Sequence, residues 1–387
     1  MAGATSDGTR TTSRRRLLEI GGATGAIALS GCLASDLFGG TSSGGDPTIH
    51  VLTWEEYAND DIKRRIEETV GVTLEITKST SSAKMFNQWN QGEYKQYDIA
   101  IPNNNYVPKM LAATKDGNPM IAPVDRDVVS NLDGIYETFT GFAENQFTKD
   151  GSMYGVPIRF GWYGYSYDSR TVPDHEESYE ILFSPTFEGV DLSNQIVMYD
   201  NHFKAMSAAA LYLGFRDAFS GPKVTLSASQ IEDVKTTMIE QKPTLQGYIA
   251  EDPRYIKQFK QGNFLVGQSG RNEIVELWDQ GADWATMATP KEGALAWFES
   301  AVVSEASDSK TKAWEVINEY IGAKNGATLA KTGFSPSVNP ETKSELSSEE
   351  NDRFGAIDPS RLEGMVPFKT VENEGAWQTA WEAIKAA

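Results

Sequence analysis

From Thr48 onward, short apolar strands alternate with amphipathic helices, and this order restricts the fold more than any other feature of the chain. Ile49, Val51 and Leu52 read as a strand. Asn59 stands where a helix cap belongs, and Asp60 and Asp61 fall in the first turn, where carboxylates favour the helix dipole. Ile62, Ile66 and Val70 then recur at four-residue spacing, and Gly71 marks the end of the helix. Val72 to Ile76 reads as a second strand, residues 81–91 as a helix, and Tyr97 to Ile101 as a third strand stopped by Pro102. Strand–helix–strand order predicts a parallel sheet in an α/β fold.

A second pattern of the same kind follows Tyr154-Gly155-Val156-Pro157. The aromatic run Phe160 to Tyr167 reads as a strand in which at least half of Trp162, Tyr163, Tyr165 and Tyr167 pack inward. Gln195–Tyr199 and Phe264–Val266 read as strands; residues 203–213, 228–239 and 310–321 read as helices. The C-terminus is helical, with Trp377, Trp381 and Ile384 on one face. Two α/β lobes with crossovers near 157 and 297 would leave a cleft between them, the usual place for a small ligand. The expected division is 47–156 plus 297–340 for one lobe, and 157–296 plus 341–387 for the other.

The start of the chain reads as an address. Arg14, Arg15 and Arg16 open an apolar stretch that runs to Gly31, the pattern of a twin-arginine signal peptide over 1–31. It ends Leu29-Ser30-Gly31-Cys32, which resembles a lipobox; Cys32 is the only cysteine in the chain. Residues 32–46 then supply a lipid-anchor cysteine and a Gly/Ser tether. The expected location is the extracellular face of the membrane.

Charge narrows the partners. The formal net charge is −19 and the acids are scattered along the chain, so nucleic acid is excluded as a partner for want of a basic patch. Scattered acidity suits a surface adapted to high salt, which points to a halophilic, archaeal source. The three histidines show no ligand spacing, and one thiol cannot build a multi-thiolate metal site. No phosphate loop, nucleophile elbow or metal-spaced pair points to an enzyme, and no cofactor is expected.

Several further pieces, in order, carry a resemblance: Leu52-Thr53-Trp54-Glu55-Glu56-Tyr57, Tyr97-Asp98-Ile99-Ala100-Ile101-Pro102, Tyr106-Val107-Pro108-Lys109-Met110, Ser178 to Gly189, Pro290-Lys291-Glu292-Gly293, Trp297-Phe298-Glu299-Ser300 and Gly375-Ala376-Trp377-Gln378. Over residues 47–387 the chain resembles the spermidine/putrescine-binding proteins of ABC importers, in the type II, two-lobed periplasmic-binding fold. The resemblance implies a monomeric receptor that captures a small organic cation in the cleft and hands it to permease subunits. It also implies a cation held between aromatic walls, with a carboxylate at the end of the box. Trp54 and Tyr57 stand at the first aromatic positions, Trp297 and Glu299 at the tryptophan-x-acid element, Gln378 after a tryptophan, and Phe334 where an aromatic is usual. Asn103 and Asn105 replace a serine and a tyrosine. Asn201 and Lys204 replace two acids, Asp200 lies one residue away, and Gly267 replaces a wall tryptophan. A zwitterion, an amino-acid derivative or a sugar fits the altered positions as an alternative cargo.

Overall fold

The computed structural model describes residues 46–354, 362 and 364–387; the expected signal peptide, Cys32 and all of the expected tether but Asp46 lie outside the described residues. A ten-stranded sheet runs through the molecule. At one end the strand Thr48–Thr53 lies between Thr73–Lys78 and Ile99–Ala100, all parallel. At the other, Ile196–Tyr199 lies parallel between Leu245–Ile249 and Val266–Gly270. Two long strands, Val156–Asp168 and Leu295–Val303, run antiparallel to each other and join the two parallel sets. Ala285–Ala288 and Val366–Pro367 pair with these central strands.

The local signals act as the residues require. The Asn59 side chain accepts hydrogen bonds from the backbone of Asp61 and Ile62, satisfying donors that the helix Asp60–Val70 cannot pair internally. Ile62, Ile66 and Val70 are buried, and the helix closes at Gly71 in the left-handed conformation, φ 69°. Burying each isoleucine contributes about 1.5–3 kcal/mol, more than the cap. Several boundaries differ from the sequence reading, and the long strand Val156–Asp168 starts four residues before the expected Phe160. The third strand shrinks to Ile99–Ala100, and the expected strand at Phe264–Val266 begins at Val266 and runs to Gly270.

Every one of the thirteen residues of Val156–Asp168 is buried. The strand is covered on both faces, so no polar alternation survives. Pro157 sits beside a register shift opposite Ser300, where the missing N–H costs no regular ladder bond. Past that shift Arg159 stands directly across from Glu299.

Apolar burial forms two large clusters. One gathers Ile49, Leu52, Tyr57, Ile66, Phe139, Phe160, Val302, Trp314 and Tyr320. The other gathers Tyr163, Tyr199, Met206, Val234, Trp297, Phe368, Trp377 and Ile384. The two central strands contribute to both. Among the described residues, no helix is long and apolar enough to cross a membrane.

Candidate functional site

Glu299 is almost wholly buried on its central strand, and the group that meets it is Arg159. The guanidinium donates twice: Nε to Oε2 at 2.5 Å and Nη2 to Oε1 at 2.7 Å. This bidentate geometry is the strongest an arginine and a carboxylate can make. Glu56 pairs with the same Nη2, and Nη1 donates to the carbonyl of Gly333 at 3.1 Å. The Tyr57 hydroxyl donates to Glu299 Oε2 at 2.6 Å. Burial, then the neighbouring Glu299 charge, pushes the Tyr57 phenol well above its usual range, so it serves Glu299 as a neutral donor. The guanidinium carbon lies 5.7 Å from the centre of the Tyr57 ring and 5.6 Å from that of Trp297. Trp297 can lie flat here because Gly161 faces it: a Cβ on Gly161 would come within 2.6 Å of the indole.

Three expected residues, Tyr57, Trp297 and Glu299, therefore come together, around a cation that the protein itself supplies. Arg159 and Glu56 were not singled out from sequence. The signal was present: Arg159 is the one basic residue in the run Val156–Asp168.

A second cluster forms around Lys204. The residue is half-buried, but its ammonium is enclosed, 3.7 Å from the centre of the Tyr163 ring and 4.1 Å from that of Tyr199. The Tyr199 hydroxyl donates to Asp252 at 2.8 Å and also bonds Glu273. Glu273 is fully buried, and its Oε2 has no hydrogen-bond partner among the described residues. Burial first, and the charge of Asp252 second, push the Glu273 carboxyl up to about 8. Desolvation pulls Lys204 down from its ordinary value, against the opposing pull of Asp252 and Glu273. The two clusters face one ring: the Tyr163 phenol is raised by burial and by Asp252, Glu273 and Glu299, and lowered by Arg159.

The remaining expected residues are spread around this core. Trp54 is half-buried against the first apolar cluster, with its indole N–H unpaired among the described residues. Asn103 forms an isolated backbone bridge with Glu299, and the Asn105 side-chain oxygen is buried without a hydrogen bond among the described residues. Asn201 is exposed and caps the helix His202–Tyr212 by accepting from the Lys204 amide. Phe334 adopts φ 53° and lies 6.1 Å from the ring of Phe354. Gln378 is exposed on the helix Glu374–Ala386, whose Trp377, Trp381 and Ile384 face inward. Asp200 is engaged by Lys385 at 2.9 Å. At Gly267 a Cβ would lie 2.3 Å from the Tyr255 hydroxyl, so Tyr255 fills the space a larger side chain would need. Among the described residues, no group of three His, Cys, Asp or Glu could hold a metal.

Comparison with known proteins agrees with this architecture. Residues 62–352 match the model of a family described as bacterial extracellular solute-binding proteins. The spermidine/putrescine-binding periplasmic protein 1 of Haemophilus influenzae is 22% identical over 311 residues, covering 78% of each chain. Among solved structures, the spermidine/putrescine ABC transporter substrate-binding protein of Streptococcus pneumoniae superposes with a TM-score of 0.71 at 18% identity, covering 88% of this chain and 99% of the other. A lipoprotein of Treponema pallidum superposes with a TM-score of 0.70 at 16% identity, covering 87% and 99%. The fold is accordingly the two-lobed α/β fold of periplasmic solute-binding proteins. With three-quarters of its length inside the family's pattern, the chain is a member of the bacterial extracellular solute-binding proteins.

Proposed function

We propose that this protein is the substrate-binding component of an ABC importer and captures a small organic cation outside the cell, a class that includes the polyamines. The observation that carries the reading is the site's preference for cations over aromatic rings. At Arg159 and at Lys204 a positive group lies against two rings with carboxylates beside it. Such a box attracts a cation by about 0.5–2 kcal/mol per contact, and more as water leaves. The names of the relatives, which bind spermidine and putrescine, point the same way.

Residues 47–156 plus 297–340 form one lobe in this proposal, and 157–296 plus 341–387 the other; the two apolar clusters support the division. A ligand touching both lobes favours the closed form by its differential affinity, and the permease reads that form. No turnover is involved. The protein acts as a monomer, is exported by the twin-arginine route and is held at the outer membrane surface through Cys32. The lipoprotein named among the structural neighbours supports the anchor. Cys32→Ser should release the protein into the medium; retention on the cells would end the anchor reading.

The central test is thermal denaturation with putrescine, spermidine, singly charged amines, betaines and sugars. A true ligand at a hundredfold excess over Kd adds about 2.7 kcal/mol of stability. A response to sugars alone would overturn the cation reading.

A further inference from the structure

The two clusters differ from an empty acid–aromatic box in one respect: each already holds a cation. Arg159 stands over Tyr57 and Trp297 and takes both oxygens of Glu299. Lys204 stands over Tyr163 and Tyr199, beside the carboxyls on which Tyr199 ends. We propose that Arg159 and Lys204 are specificity-determining residues that pre-occupy two ammonium positions, so that the site selects a ligand with a single positive charge and rejects a diamine of the same length. This rests on the organic-cation reading above and narrows it.

The count of charges supports the proposal. Around Arg159 one guanidinium meets two carboxylates, Glu56 and Glu299, which leaves one negative charge over. Around Lys204 the charge of one ammonium is opposed by Asp252 and by a Glu273 carboxyl pushed up to about 8, which leaves almost no excess at neutral pH. One ligand ammonium cancels the remainder. A second ammonium would enter a buried region that already holds Arg159 or Lys204, and like charges placed together at a binding surface cost several kcal/mol. Neither cation can swing away cheaply. Arg159 is fixed by five contacts, to Glu299, Glu56, Gly333, Tyr57 and Trp297, and its strand is buried throughout.

The test compares putrescine with N-acetylputrescine, which keeps the chain but carries one charge, by titration calorimetry on the purified protein. The wild type should favour N-acetylputrescine by about tenfold or more. Arg159→Met should shift that preference toward putrescine by about tenfold or more, because Glu56 and Glu299 are then free for the second amine. Freeing the buried Glu299 and the half-buried Glu56 threatens folding, so Lys204→Gln is measured beside it, with circular dichroism for both; it should move the preference in the same direction. A wild type that binds putrescine at least as tightly overturns the proposal, as do folded variants whose preference is unchanged. If folded wild type and folded variants bind neither amine, the organic-cation reading itself falls.

Discussion

Glu273 shows how one buried carboxyl can set the behaviour of a site. Its side chain is enclosed among Tyr199, Asp252 and Lys204, with one oxygen unpaired among the described residues. The folded protein holds this group's proton up to about pH 8, whereas the unfolded chain releases it near 4.5. The native state therefore binds more protons through that window, and this group's contribution to stability falls as pH rises from about 4.5 to 8. One linked proton limits the slope to ~1.4 kcal/mol per pH unit. Glu273→Gln keeps a side chain able to bond Tyr199 but cannot ionise. Urea denaturation of the two proteins at pH 5 and pH 8 should show the wild type losing ground to the variant at the higher pH. Parallel profiles would mean that the carboxyl titrates as an ordinary glutamate. Lys204 does not confuse the comparison in sign: a lowered lysine makes stability rise with pH, and only above its folded value.

At the scale of elements, the legible parts were those whose causes are local. The helix Asp60–Val70 announces itself by Asn59, a four-residue apolar spacing and Gly71, all within a dozen positions. The helix Arg271–Asp279 carries no such announcement. It starts at Gly270 without a side-chain cap, and buries Arg271 and Glu273 in its first turn. The helix Ala323–Gly333 likewise starts at Gly322 and buries Asn325 and Gly326. Tertiary partners, not sequence signals, stabilise both. The strand Val156–Asp168 was legible over Phe160 to Tyr167, but its first four residues and its pairing with Leu295–Val303 were not, and that pairing is what sets Arg159 against Glu299. Tyr57, Trp297, Glu299 and Lys204 were reached by resemblance; Arg159, Glu56, Asp252 and Glu273 were not, because their place beside them depends on register and tertiary packing. One residue tests that register. Gly161 faces the Trp297 indole so closely that a methyl group would strike its ring at 2.6 Å. Gly161→Ala should push Trp297 away from Arg159 and weaken the ligand by several-fold, with a stability loss of about 1–3 kcal/mol for overpacking. Unchanged affinity in a folded Gly161→Ala protein would show that Trp297 does not wall the site.

Across the whole molecule, the charges divide into two populations that salt treats differently. The net charge of −19 is accompanied, among the described residues, by several ion pairs that are largely exposed, as at Arg64–Asp61, Lys78–Glu55, Arg126–Glu144 and Lys291–Glu176. Exposed pairs contribute about 0–1 kcal/mol each, and the excess of like charge works against compactness. Screening shortens from ~8 Å at 0.15 M to ~3 Å at 1 M, so added salt removes long-range repulsion before it touches anything in contact. The Arg159–Glu299 pair lies outside this effect, because its side chains are only 5% and 3% exposed. Raising KCl from about 0.1 M to about 3 M should therefore raise Tm while leaving the affinity for a bound amine changed by less than about tenfold. The two readouts separate the surface from the site. A Tm that stays level or falls would remove the case for a surface adapted to brine. An affinity that collapses with salt would mean that the ligand is drawn by exposed carboxylates and not by the enclosed rings of Tyr57, Trp297, Tyr163 and Tyr199.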